Sequence, residues 1–327
     1  MLIFDTAELR AVMRGELESR RLSPAPGDYA YTRDANEHPL YGVTGAANLY
    51  AELGFDFGGW TARQAWCDRI NAFQQPDGTF TCVSGPEHAA AMAILALNLL
   101  GGRPARPVRH LAPLDPAAFE TWLNRMNWAG STHKEFCCGV CPILASGFHD
   151  ARWLETLRRN VESRLDPGQP RRLWSGSDRD PAWRVISCLY HVLSGYDAAW
   201  LPYPQPELLW DRLSSLHYEQ TRDDGKRTDC TDFDYGWMLI RLSHQLPDRF
   251  PEVVRRGHAV LDRMIAEWRE DRARMLSSTT HGLYCQCIGW AVYQALLPDR
   301  FRGPPLLDTL NAPWLYRLPG PEWLSGD

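Results

Sequence analysis

The densest group of ionisable residues is the run TDCTDFDYGW, from Thr228 to Trp237. Asp229, Asp232 and Asp234 crowd into it. Buried together, three carboxylates cannot all ionise cheaply, so one would keep its proton and serve as a general acid. Left in solvent, they would be an N-cap with two solvated neighbours. His88 and His281, each at the head of an apolar run, could take the part of the base. Cys230, Asp232 and His281 also make a set of three zinc ligands, which leaves a fourth position open as catalytic sites do.

Other polar residues stand at equivalent heads: Glu37 with His38, Glu87 with His88, His133 with Lys134 and Glu135, and Asp180. Acids there are first of all caps, but histidine is not a preferred cap, so capping leaves four histidines without an account. Lys134, Arg179, Arg184 and Arg227 could hold an anionic substrate group, or could be solvated. Tyr41, Phe136, Trp183, Phe233, Tyr235, Tyr284 and Trp290 follow the heads into the apolar runs; aromatic faces suit an apolar substrate or a developing cation. His38, Tyr41, His133, Trp183, Arg184, Tyr235 and Tyr284 are the candidates for substrate contact. Cys137, Cys138 and Cys141 in FCCGVC, with Cys285 and Cys287 in YCQC, read as small polarizable core residues.

What positions these groups is a repeat. Apolar runs with polar heads recur at His38, His88, Glu135, Trp183, Asp232 and His281, in steps of 50, 47, 48, 49 and 49 residues. Between them lie amphipathic stretches. ARWLETLRRNVESRL puts Trp153, Leu154, Leu157 and Val161 on one face, and Asp115-Pro116 is an N-cap followed by proline at the first helical position. Each unit is therefore a half-exposed helix followed by a buried one. Six such hairpins, closed into a ring, give an all-α fold, an (α/α)6 toroid with six inner and six outer helices; an open solenoid would leave apolar end repeats exposed. All six heads then share one end, which the helix dipoles make favourable for carboxylates and anions. The toroid is expected over residues 1–297. A Pro/Gly-rich tail, 298–327, keeps Trp314, Leu315, Tyr316 and Trp323 and should lie against the barrel.

Of the 327 residues, 44% are hydrophobic and the formal charge is -5, which argues against nucleic acid or an anionic membrane as the main partner. The longest apolar run, Ala89 to Leu100, is too short to span a bilayer and contains Asn98. The opening MLIFDTAELR has Asp5 and Glu8 where a secretory leader needs an apolar block. Nine cysteines, an odd number placed mostly in helical patterns, fit a reducing compartment. A cytoplasmic location is expected.

INAFQQPDGTFTCVSGPEHAAAMAILALNLLGG resembles a repeat of the terpenoid cyclase and protein prenyltransferase toroids, in which Gln-x-x-Asp-Gly-x-Phe precedes an inner helix. YEQTRDDGKRTDCTDFDYGWMLIRL is similar to a second, poorer copy. The cyclase branch implies an acid in an Asp-x-Asp-Asp motif, which maps to Asp232-Phe233-Asp234 with Tyr235 in place of the third acid. Asp234 would inherit the acid's role and Asp232 a supporting hydrogen bond. The prenyltransferase branch implies zinc held by Asp-x-Cys and a later histidine. HGLYC matches the histidine segment at His281, Tyr284 and Cys285, while the earlier pair stands reversed as Cys230-x-Asp232.

The favoured expectation is an enzyme that cyclises or isomerises a small, apolar, isoprenoid-like molecule by acid–base chemistry, with no cofactor. Asp234 is the acid, Asp232 its support, His88 or His281 the base, and Glu87 a further candidate. Zinc-dependent group transfer at Cys230, Asp232 and His281 is the alternative. Other toroids act on sugars as lyases, hydrolases or epimerases, for which Glu37, His38, Glu87, His88 and Arg184 could serve. A closed aromatic cavity would favour the terpenoid reading, a wide polar groove the sugar reading. A non-catalytic interaction domain would instead have a plugged mouth and unperturbed acids.

Overall fold

The structure, a computed structural model, describes residues 2–82, 84–126, 128, 133–165, 180–219, 229–307 and 313–324. Regular structure among them is almost wholly helical, with thirteen α-helices and one pair of two-residue strands. A half-exposed helix, α1 (Thr6–Glu18), precedes a buried one, α2 (Pro39–Glu52). The alternation repeats through α3 (Gly59–Asn71) and α4 (Pro86–Leu100), α5 (Pro116–Arg125) and α6 (His133–Ser146), and α7 (Ala151–Glu162) and α8 (Ala182–Ala198). It continues with α9 (Pro206–Ser215), α10 (Cys230–Gln245), α11 (Phe250–Glu270), the one-turn α12 (Arg272–Leu276) and α13 (Thr280–Leu296).

Hydrophobic period explains the two kinds of helix. In α7 the buried residues are Trp153, Thr156, Leu157, Asn160 and Val161, a single stripe at spacings of three and one. In α4 every residue from His88 to Leu97 is buried, so neighbours must cover it on all sides. They do: α2 packs on α4, α4 on α6, α6 on α8, α8 on α10, α10 on α13, and α13 on α2. Outside them, α3 packs on α2 and α4, and α11 on α10 and α13. No helix among the described residues is long and apolar enough to cross a membrane.

Helix starts follow the chemistry of their caps. Asp5, Asp115 and Asp150 accept backbone N–H bonds at the heads of α1, α5 and α7, and Thr279 does so for α13. His38 precedes Pro39 yet makes no capping bond, as its side-chain type implies. One close approach fixes the site: a β-carbon on Gly45 would lie 2.9 Å from the backbone nitrogen of His281, so only glycine lets α2 and the head of α13 touch.

The strand pair was not legible beforehand, nor the end on which the tail lies. β1 (Phe4–Asp5) pairs in parallel with β2 (Phe301–Arg302), and the Phe4 ring stacks on Trp290 of α13 with centroids 3.8 Å apart. The tail segment at Pro313–Tyr316 packs on α4, α6 and α8 at the end opposite the polar heads. Asn98, near the end of α4, donates to the carbonyls of Leu315 at 2.6 Å and Arg317 at 2.8 Å, and Arg317 donates to the carbonyl of Ala145 at 3.0 Å.

Candidate functional site

Five of the buried helices, α4, α6, α8, α10 and α13, line a cavity of about 210 Å³, and Tyr316 from the tail contributes to its wall. Polar groups come mostly from the first turns of α4, α6, α10 and α13, whereas α8 contributes its second half, from Tyr190 to Ala198. Met92, Tyr190, Phe233 and Tyr316 make the rest of the wall apolar.

Asp234 lines this space, is 1% exposed, and neither carboxyl oxygen has a hydrogen-bond partner. Burial first, then the negative charge of Asp229, pushes its pKa well above the usual carboxylate range, against an opposing pull from Lys134. That shift favours the neutral carboxylic acid, the form able to donate a proton. His88 and His281 face the same space with ring centroids 5.5 Å apart. Burial, with His281 and Lys134 adding to it, holds His88 well below the ordinary histidine value. His281 is held down to about 4 by burial and then by Lys134. Both are neutral imidazoles at pH 7, so both can accept a proton. The Tyr41 hydroxyl bonds Nδ1 of His88, and its ring stacks on His281 at 5.1 Å. Nδ1 of His281 has no partner, and Cys285 Sγ lies 3.7 Å from its Nε2.

Of the cysteines assigned to the core, Cys137, Cys138, Cys141 and Cys285 line this cavity as well, and Cys287 stays in the core. The Ser194 hydroxyl donates to Cys137 Sγ at 3.0 Å, and Cys141 Sγ lies 3.8 Å away. Hydrogen bonds from the Cys138 and Cys141 thiols, helped by His191, bring the Cys137 thiol well below the usual cysteine value despite its burial. Cys138 and Cys141 shift upward in return. Burial and then Asp234 push Cys285 up to about 12, and burial and then Asp229 raise Cys230. His191, Ser194 and Asp197 on α8 were missed altogether. The signal was present as pairs four residues apart, Cys137/Cys141, Cys230/Asp234 and His281/Cys285, each the inward stripe of a helix buried on its other sides.

Several expected residues lie elsewhere. Asp232 faces away from the cavity: it accepts from Tyr218 at 2.9 Å, from Arg263 of α11, and from the backbone N–H of Asp229 at 3.1 Å in a capping box. It therefore neither supports Asp234 nor shares a point with Cys230 and His281. Successive helical residues turn by about 100°, so two positions apart is nearly the opposite side. Tyr235 is also turned outward, donating to Glu219 at 2.9 Å beside Arg256. Glu37 and His38 border a separate surface depression. Arg184 pairs with Asp180 at 3.7 Å at the head of α8 and, like the half-buried Trp183, is outside the cavity wall. Tyr284 is wholly buried behind His281, ring to ring 6.2 Å. Glu87 sits on the first turn of α4, outside the wall; with burial, its charge raises the pKa of Glu135. Arg179, Arg227 and the His133 side chain lie outside the described residues.

The zinc set does not fit this geometry. Asp232 is committed to Tyr218 and Arg263, and among the described residues no three His, Cys, Asp or Glu side chains are grouped to hold a metal ion. All nine cysteines are free thiols. Comparison of the chain with protein-family models, with curated proteins and with solved structures gives no match.

Proposed function

We propose that the alternating helices form an (α/α)6 toroid, and that the protein is a terpenoid-cyclase-like enzyme working in its lumen. The cyclic order of packing, α2 through α13 and back to α2, supports the toroid. The reaction is cyclisation or isomerisation of a small, apolar, isoprenoid-like molecule by acid–base chemistry without a cofactor. Asp234 donates the proton, His281 or His88 accepts one, and Tyr41 orients His88. The observation that carries this reading is the Asp234 carboxyl, buried in an apolar wall with both oxygens unpartnered. A group so placed costs about 1–3 kcal/mol of stability, a cost that a proton-donating role accounts for.

Size narrows the substrate. Pockets for drug-sized ligands run upward from about 300 Å³, so a cavity of about 210 Å³ takes a smaller molecule, on the order of ten non-hydrogen atoms. The apolar and aromatic part of its wall, Met92, Tyr190, Phe233 and Tyr316, favours the isoprenoid reading over sugars; of the sugar candidates only His88 lines it, and Glu37, His38, Glu87 and Arg184 are outside it. The free thiols fit a reducing, cytoplasmic setting.

The test is a panel of small isoprenoid alkenes and epoxides incubated with the protein in D2O, with products read by mass spectrometry. Proton-initiated chemistry places one deuterium on carbon, and Asp234→Asn lowers product formation by about a hundredfold or more. Equal turnover by the folded variant would remove Asp234 as the acid.

A further inference from the structure

We infer that Cys137 is a covalent nucleophile of this cavity, and that its electrophile is a small conjugated carbonyl compound whose oxygen takes a proton from Asp234. The assignment rests on the acid–base reading above and narrows its substrate class.

Two observations converge. The first is the setting of the sulfur: Ser194 Oγ lies 3.0 Å from it, its one proton shared between this sulfur and the His191 carbonyl at 2.9 Å, Cys141 Sγ lies 3.8 Å off on the same helix face, and all three border the cavity. Donors around sulfur favour the thiolate, which is the reactive form. The second is Asp234 across the cavity, 1% exposed, its oxygens partnerless, holding a proton. The charge of Cys137 is among the causes that keep that proton in place. Charge thus sits on sulfur and the proton on oxygen, inside one apolar space.

A soft anion beside a neutral acid matches one kind of reaction. The Cys137 thiolate attacks the β-carbon of an enone or related carbonyl, forming an S–C bond. The alkene π pair becomes a new double bond between the α-carbon and the carbonyl carbon, and the carbonyl π pair moves to the oxygen, which takes the Asp234 proton, leaving a carboxylate and an enol. The former double bond is now single and can rotate. Collapse returns the proton to Asp234, re-forms the alkene and expels the thiolate. Atoms and electrons balance with no oxidant, metal or second substrate, and the net change is a cis–trans isomerisation.

N-ethylmaleimide, a conjugated carbonyl compound small enough for the cavity, tests this on the full chain. Cysteines are mapped by mass spectrometry after sub-stoichiometric labelling, with Cys137→Ser as the site control. The titratable groups that share the cavity with Cys137 are Lys134, Cys138 and Cys141 on its own helix, His88 on α4, Tyr190, His191 and Asp197 on α8, Asp229, Cys230 and Asp234 at α10, His281 and Cys285 on α13, and Tyr316 from the tail. Cys137 should label before the other eight cysteines, with a rate changing less than about threefold between pH 7 and 8.5, where an ordinary thiol gains more than roughly tenfold. Ser194→Ala should restore pH dependence, and Asp234→Asn should slow labelling of Cys137 by about tenfold or more. Labelling that favours another cysteine, or a Cys137 rate that climbs like an ordinary thiol's, overturns the inference. If Cys137 is inert while deuterium still enters product through Asp234, only this inference falls. If Asp234→Asn turns over normally, the acid reading falls with it.

Discussion

Replacing Asp234 with asparagine should make the protein more heat-stable as the pH rises, by an amount that can be worked out in advance. The native carboxyl keeps its proton at pH values where the unfolded chain, with an ordinary value near 3.8, has lost it. The native state then binds more protons than the unfolded one, so stability falls as pH rises from about 3.8 towards the raised native value. Each pH unit in that window costs the wild type about 1.4 kcal/mol. Asparagine has nearly the same shape and does not titrate, so the variant escapes this loss. An unfolding entropy of about 2.1 cal/mol/K per residue over 327 residues is about 0.7 kcal/mol/K. The Tm of Asp234→Asn should therefore gain on the wild type by about 2 °C for each pH unit above 4, levelling off once the native acid ionises. Scanning calorimetry of both proteins from pH 4 to 8 supplies the comparison. A Tm difference that stays constant across that range would mean an ordinary carboxylate at this position, and the proton donor would be gone.

Two further expectations concern neighbouring groups. His281, held down to about 4, should keep a neutral ring at pH 5 in histidine NMR spectra, and an ordinary midpoint near 6.5 would refute its burial against Lys134. Because its native value is depressed, stability should fall by about 1.4 kcal/mol per unit as pH drops from 6.5 towards 4. Arg263→Ala strips the charged partner from Asp232, which is 0% exposed, and should cost about 3 kcal/mol in urea unfolding at neutral pH; a loss under about 1 kcal/mol would mean Asp232 does not depend on α11.

The alternation of helices was legible because burial dictates composition. A helix covered on every side, such as α4, cannot hide its apolar content, and a half-exposed one such as α7 must confine it to a stripe. The cap at Asp115 was readable for the same local reason. Helix azimuth was not. Asp232 and Asp234 look alike in the sequence, yet packing turns the first to Arg263 of α11 and the second to the lumen. Only the neighbours decide which side faces in, and α11 follows α10 in the chain with nothing local to reveal its angle. Cys137 read as core because a cysteine amid apolar residues is ordinarily inert. Its setting comes from the neighbouring thiols Cys138 and Cys141 and from His191 and Ser194, more than fifty positions away on α8. Tyr235 was misplaced by likeness of type: an aromatic near the head of a buried helix can fill either layer, and Glu219 claims this one.

The contact between α2 and α13 also sets an order of events at the ribosome. α2 is complete at Glu52, but its partner does not begin until Thr280. At about 5–20 residues per second, the flank of α2 awaiting α13 stays uncovered for roughly ten to forty-five seconds of synthesis. Leu40, Val43 and Leu49 belong to a helix buried on nearly every side in the finished protein, so the nascent chain carries a sticky seam throughout that interval. A holdase, or a slow-growing culture, should matter more to the yield of this protein than its final stability would suggest.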